Sequence, residues 1–147
     1  MKKLNPTSTQ IFLQLIAGLN GKTHVKIKSE PYNPLVIEIV GSDSFSKWGN
    51  ATLYSFCQYY KLNGDVMQDP EMCFIVSEDQ GDIYPYLYQQ ANMGIYEESV
   101  LLQEGEKPLF SRDMQDMHVQ FANQWIHNLK NQDFIKQIEH GKVSHTD

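Results

Sequence analysis

The stretch Tyr59-Tyr60-Lys61-Leu62-Asn63-Gly64-Asp65-Val66-Met67-Gln68-Asp69-Pro70-Glu71-Met72 decides the fold. An alternating segment enters it and another leaves it. Asn63-Gly64 lies between aromatic and aliphatic runs, where a two-residue hairpin turn needs positive φ at both central positions, which Asn and Gly tolerate. Asp69-Pro70 reads as a second turn or a strand start, because proline lacks an N–H for a ladder and drives the preceding residue away from helical backbone. The stretch therefore announces an antiparallel β meander.

Strand patterns extend on both sides. His24-Val25-Lys26-Ile27-Lys28 alternates with period two, as a half-buried strand does. Leu35 to Val40 is a β-branched run interrupted at Glu38, which suits a central strand. Phe45 to Asn50 reads as irregular, with Trp48-Gly49 covering an edge. Thr52 to Leu62 reads as one long strand, and Met72, Phe74 and Val76 alternate with Cys73, Ile75 and Ser77. Tyr84, Tyr86 and Tyr88 are expected to line one face of the next strand. Asn92-Met93-Gly94 turns the chain, and Ile95 to Leu102 returns it.

Helices are expected at both ends. Asn5-Pro6-Thr7-Ser8-Thr9 supplies caps and a first-turn proline ahead of Ile11, Phe12, Leu15, Ile16 and Leu19, and Asn20-Gly21 closes that segment. After the loop Gln103–Pro108, Ser111 is an expected N-cap and Asp113 suits the first turn. Phe110, Met114, Met117, Phe121, Trp125 and Leu129 then recur at three- and four-residue steps, an aromatic stripe expected to face the core. Residues 141–147 are expected to fray. The fold class is accordingly α+β: an antiparallel, twisted sheet of about five or six strands, with the N-terminal and C-terminal helices packed on one face, in a single domain spanning 1–140.

Charge and composition exclude several classes. The 147 residues carry a net charge of −6, with ten carboxylates and a single lysine between residues 61 and 106, while residues 1–60 hold six lysines against three acids. Arg112 is the only arginine, so a nucleic-acid partner is not favoured, although Lys22, Lys26 and Lys28 form a small basic patch. No apolar run reaches the length of a membrane span. Lys2-Lys3 before Ile11-Phe12-Leu13 imitates a signal peptide, but Pro6, Gln10 and Gln14 break the apolar block. Cys57 and Cys73 have no ligand at zinc spacing and are expected to be reduced thiols in a cytoplasmic protein.

Two constellations are candidates for chemistry. Glu38, Asp65, Asp69 and Glu71, if gathered, suit a divalent metal such as Mg²⁺ or Mn²⁺ and a hydrolase or nuclease, with Lys61 as the nearby cation. The bland reading makes them solvated turn residues. Tyr84, Tyr86 and Tyr88 suit a stacking platform for single-stranded nucleic acid or a peptide groove; half-covering an open sheet face is the bland alternative. His118 and His127 lie too far apart on a helix to share a metal. Phosphate-cradling glycine loops, HExxH and nucleophile-elbow motifs are missing.

Leu35-Val36-Ile37-Glu38, Gln58-Tyr59-Tyr60, Asn63-Gly64-Asp65-Val66-Met67 and Asp69-Pro70-Glu71-Met72 also resemble a domain-of-unknown-function family. Its members are small proteins, or modules of larger ones, from plasmids, phages and conjugative elements of Gram-positive bacteria. Tyr88-Gln89-Gln90, Gly94-Ile95-Tyr96 and the Trp125 helix extend the likeness over most of the chain. The resemblance implies a compact α+β domain in a mobile-element setting and supplies no activity. Where that family tends to have a histidine before the tyrosine pair, this chain has Gln58. The function expected is a non-catalytic accessory or interaction domain, without a cofactor, whose partner is another protein; its polar and aromatic face leaves room for a homodimer.

Overall fold

The computed structural model describes residues 1–45, 48–103 and 107–146, and for Asp43 and Phe45 the backbone alone. Helix α1 (Pro6–Ile16) precedes strands β1 (His24–Ile27), β2 (Leu35–Phe45), β3 (Gly49–Leu62), β4 (Asp65–Ser77), β5 (Ile83–Gln90), β6 (Ile95–Glu98), β7 (Val100–Leu101) and β8 (Leu109–Phe110). Helix α2 (Arg112–Asn131), the short α3 (Phe134–Glu139) and β9 (Val143–Ser144) complete the chain. One seven-stranded antiparallel sheet runs in the order β6-β5-β4-β3-β2-β1-β9, and β7 pairs with β8 separately.

The hairpin reading holds at its centre. Leu62 pairs with Asp65 across Asn63 (φ 53°) and Gly64 (φ 87°), the doubly positive geometry that this dipeptide favours. Asn5 caps α1, its side chain accepting from the Ser8 N–H at 2.8 Å ahead of Pro6.

Several expectations are corrected. The sheet has seven strands, because the expected tail instead lays Val143 and Ser144 against β1. Asp69-Pro70 is no turn. The register passes from Cys57↔Glu71 to Tyr59↔Gln68, so both residues oppose Gln58 in a bulge, the position inside a sheet that spares proline a ladder bond. The expected strand Ile95–Leu102 divides at Ser99 into β6 and β7. Ser111 precedes α2, but its side chain makes no capping bond. Parts of the expected irregular segment and of the loop Gln103–Pro108 lie outside the described residues.

The main core lies between α1, α2 and one face of the sheet. Phe12 stacks on Phe56 with centroids 4.5 Å apart and meets Phe74 edge-on at 5.1 Å, while Ile126, Leu129 and Phe134 fill the same cluster. A fully buried phenylalanine of this kind contributes roughly 1.5–3 kcal/mol by area alone. The inward side of α2 is Gln115, His118, Val119, Ala122, Trp125, Ile126 and Leu129. Met117, at 64% exposure, and Phe121, at 38%, face outward, which overturns the continuous stripe read from the spacing.

A second, smaller cluster covers one end of the opposite face. Trp48 is buried there with Ala51, Ile75, Tyr84 and Val100, and so is core where an edge cover was expected. The Ser77 hydroxyl donates to the Trp48 carbonyl at 2.9 Å, tying that segment to β4. The rest of this face bears the site described next.

Candidate functional site

Strand register determines which side chains share the remaining face. One row across the sheet reads His24, Glu38, Ser55, Cys73, Leu87, Glu98; the next reads Lys26, Val36, Cys57, Glu71, Gln89, Tyr96. Because alternate residues of a strand point to one face, the two rows together form its floor. Between β1 and β4 this floor is a cleft of about 480 Å³, lined by His24, Glu38 and Ser55 of the first row, Lys26, Val36, Cys57 and Glu71 of the second, and Val40, Tyr59, Lys61, Val66 and Gln68. Val40 and Val66 are about half exposed.

Polar contacts in the cleft are unevenly distributed. The Ser55 hydroxyl donates to Glu71 Oε2 at 2.7 Å. His24 Nε2 lies 3.9 Å from Glu38 Oε1, and the Tyr96 hydroxyl donates to Glu98 Oε1 at 2.6 Å. Lys26 stands over the Tyr59 ring, its ammonium 5.3 Å from the centroid. Among the described residues neither Lys26 nor Lys61 forms an ion pair.

The thiols on the floor are chemically quiet. Burial, with Glu71 beside it, pushes the Cys57 thiol up to about 12, and Cys73 is raised to about 12 by burial and the same carboxylate. Neither forms a disulfide. Burial likewise raises Tyr86, with Cys73 contributing. A nucleophilic cysteine needs its thiolate near neutral pH, and these environments disfavour it.

Of the four carboxylates expected to gather, Glu38 and Glu71 do share the cleft, on β2 and β4. Asp65 is exposed beside the hairpin turn. Asp69 sits in the bulge, where Gln90 Nε2 donates to it at 2.9 Å, and Tyr88 bonds the other end of that amide. Among the described residues no group of three or more His, Cys, Asp or Glu side chains is placed to hold a metal ion.

The three tyrosines do not line one face. Between Cys73 and Phe74 the register with β5 shifts, leaving Tyr86 unpaired as an extra residue. Tyr84 and Tyr86 therefore pack with the Trp48 cluster, whereas Tyr88 turns to the helices, against Phe121 at 4.8 Å and His118 at 5.9 Å. A bulge inverts the alternation beyond it.

Position 58 is a structural node. Gln58 is buried on the helix side; its Oε1 accepts from the Trp125 indole N–H at 2.9 Å, and its Nε2 donates to the Asn33 carbonyl at 3.1 Å and Gln132 Oε1 at 2.8 Å. It joins β3 to α2, to the turn after α2 and to the connection before β2. Nearby, His118 on α2 is also enclosed, with Ser99 Oγ 2.7 Å from Nδ1 and Glu97 Oε1 3.1 Å from Nε2. Three residues of serine-protease type meet there, but Ser99 is 1% exposed, so no substrate reaches its hydroxyl.

Ser55, Val36 and Val40 carry no motif in the sequence, and only the joint register of β2, β3 and β4 brings them to one face with Tyr59 and Val66. No helix among the described residues is long and apolar enough to cross a membrane. The sequence model of a family described as Domain of unknown function (DUF6908) matches residues 8–135. No curated protein and no solved structure matches the chain.

Proposed function

We propose, for a chain that belongs to the domain-of-unknown-function family DUF6908, a non-catalytic interaction domain that receives a protein partner on the uncovered face of its sheet. The observation that carries this reading is the cleft itself: a concave surface of about 480 Å³ joining half-exposed valines to the Lys26 and Lys61 ammonium groups, which form no ion pair among the described residues. Such a mixture of apolar floor and charged rim suits association. Its potential nucleophiles, Cys57 and Cys73, are held protonated near neutral pH, and Glu71 is engaged by Ser55. Binding is favoured over bond-making by those environments. Unpaired thiols accord with a cytoplasmic setting.

The resemblance to small proteins of plasmids, phages and conjugative elements adds where to look, since partners of such proteins are encoded beside them. The test is co-expression with the products of the adjacent genes, followed by purification of this chain. One of those products is expected to co-purify with the native chain and to be released by Val66→Arg, a change at an exposed position outside both cores. If none co-purifies, or if the complex survives Val66→Arg, the reading fails.

A further inference from the structure

The sheet ends at β6 with an open edge. Strand β6 is outermost beyond β5, and among the described residues no strand pairs with its outer side. The Ser99 N–H donates to the Tyr86 carbonyl at 2.9 Å, so in the alternating ladder Ser99, Glu97 and Ile95 turn their backbone groups toward β5. Tyr96 and Glu98 turn theirs outward. The N–H and C=O groups of both residues thus form a template for one further strand.

Two features give that template a chemistry. The first is apolar. Ile95 and Glu97 lie on the helix side, where Glu97 meets His118 and Phe121 packs on Tyr88, the cross-strand partner of Glu97. Met117 and Phe121 of α2 are exposed on that side. The second is charge. Glu97 and Glu98 occupy opposite faces of the edge, and no lysine or arginine occurs between Lys61 and Lys107. Lys107 lies two residues before Leu109, the partner of Leu101, so β8 carries it away from Ser99 and β6. Arg112 and Lys2 share a separate hollow with Asp116, which Lys2 pairs at 3.5 Å. The Tyr96 hydroxyl that donates to Glu98 is neutral and leaves the carboxylate charge in place.

We propose that β6 receives an extended segment of a second protein as an added antiparallel strand, with two adjacent basic residues followed two positions later by an apolar one. The order follows from the edge. An antiparallel partner is read from the position opposite Glu98 to the position opposite Ile95. Its first basic residue faces Glu98, and the next, pointing to the other face, meets Glu97. The third residue, opposite Tyr96, gives its N–H to the outward Tyr96 carbonyl. The fourth rests against Ile95, on the side of the sheet that bears Met117 and Phe121.

This edge is apart from the cleft, which lies between β1 and β4. A second copy of the chain suits it poorly, because two β6 edges paired about a two-fold axis would crowd Glu97 and Glu98 of both chains together. Nucleic-acid phosphates meet the same repulsion.

The experiment uses the full chain and fluorescein-labelled peptides read by fluorescence anisotropy. The probe contains Thr-Lys-Lys-Thr-Val-Thr; its counterparts carry Thr-Glu-Glu-Thr-Val-Thr, or the first sequence N-methylated at the threonine between lysine and valine. The lysine peptide is expected to bind at low salt and the glutamate peptide not to bind. The N-methylated peptide keeps its charge but loses the N–H due to Tyr96, and is expected to bind about tenfold more weakly. Glu98→Lys is expected to prefer Thr-Glu-Lys-Thr-Val-Thr to the original probe, a gain that misfolding cannot produce. Val66→Arg, in the cleft, is expected to leave binding unchanged. Absence of lysine-peptide binding, equal binding of the glutamate or N-methylated peptide, an unaltered preference in Glu98→Lys, or loss of binding in Val66→Arg overturns the proposal. So does a native dimer in sedimentation that Tyr96→Pro, which removes only an outward N–H from the backbone, disperses, since a second copy would then hold the edge.

Discussion

The indole N–H of Trp125 donates to Gln58 Oε1 at 2.9 Å, inside the protein, between α2 and the central strand β3. This one bond relates a buried polar side chain on the helix-facing side of β3 to the largest residue of α2, and the amide's own N–H groups are spent on Asn33 and Gln132. Three elements thus depend on one side chain.

Replacing Gln58 with leucine keeps the volume and strands all three partners. An unsatisfied buried donor or acceptor costs about 1–3 kcal/mol, so Gln58→Leu is expected to lower unfolding free energy in urea by at least that much. Gln58→His retains one acceptor and one donor and is expected to lose less. Equal stabilities for the native chain and Gln58→Leu would show that the network carries no weight, and the ranking of histidine above leucine would identify position 58 as a packing site with a polar requirement.

A second buried node can be dissected the same way. His118 touches both Ser99 and Glu97 from α2. Ser99→Ala leaves Nδ1 of His118 without its partner, and His118→Leu orphans the Ser99 hydroxyl, each costing about 1–3 kcal/mol. The double substitution removes both polar ends, so its cost is expected to fall short of the sum by about 1 kcal/mol or more in chemical denaturation. Strict additivity would mean that the contact contributes nothing specific.

The thiols give a pH-dependent prediction. Cys57 and Cys73 ionise only at about 12 in the folded protein, against an ordinary value of 9.0. Between those values the unfolded chain releases protons that the folded chain keeps, so stability is full below about pH 9 and declines as pH rises toward 12. Urea midpoints are expected to drop from pH 8 to pH 10.5, and less steeply for Cys57→Ala with Cys73→Ala. Iodoacetamide at pH 8 should label the native protein far more slowly than the urea-unfolded one. Rapid native labelling would contradict the burial that holds both thiols neutral.

What could be read in advance was local. Asn63-Gly64 and Asn5-Pro6 each specify a backbone geometry through their own φ preferences, and both appear in place. What escaped was caused by single residues that interrupt a period. The bulge at Tyr86 sends Tyr88 to the helices, and a period-two pattern keeps no trace of an unpaired residue. The proximity of Glu38 to Glu71 depends on the joint register of β2, β3 and β4, which no segment encodes alone. Lys26 and Lys61 were visible as lysines; that they border one cleft is a product of the same register.

Helix α2 supplies the last case, because two apolar stripes compete on it. Met114, Met117 and Phe121 begin one line of three- and four-residue steps that the spacing continues through Trp125 and Leu129, while Val119, Ala122 and Ile126 share another, and spacing alone does not choose between them. The second stripe is buried, since small Ala122 lets α2 approach the core where a methionine or phenylalanine would hold it off, and Met117 is left 64% exposed. Met117→Glu is therefore expected to change unfolding free energy by no more than about 0.5 kcal/mol, as an exposed position does. Ala122→Glu, which buries a carboxylate without a partner, is expected to prevent folding or cost several kcal/mol. Urea titrations of the two variants decide the rotation of the helix: a large loss for Met117→Glu beside a small one for Ala122→Glu would turn α2 about its axis and return the first stripe to the core.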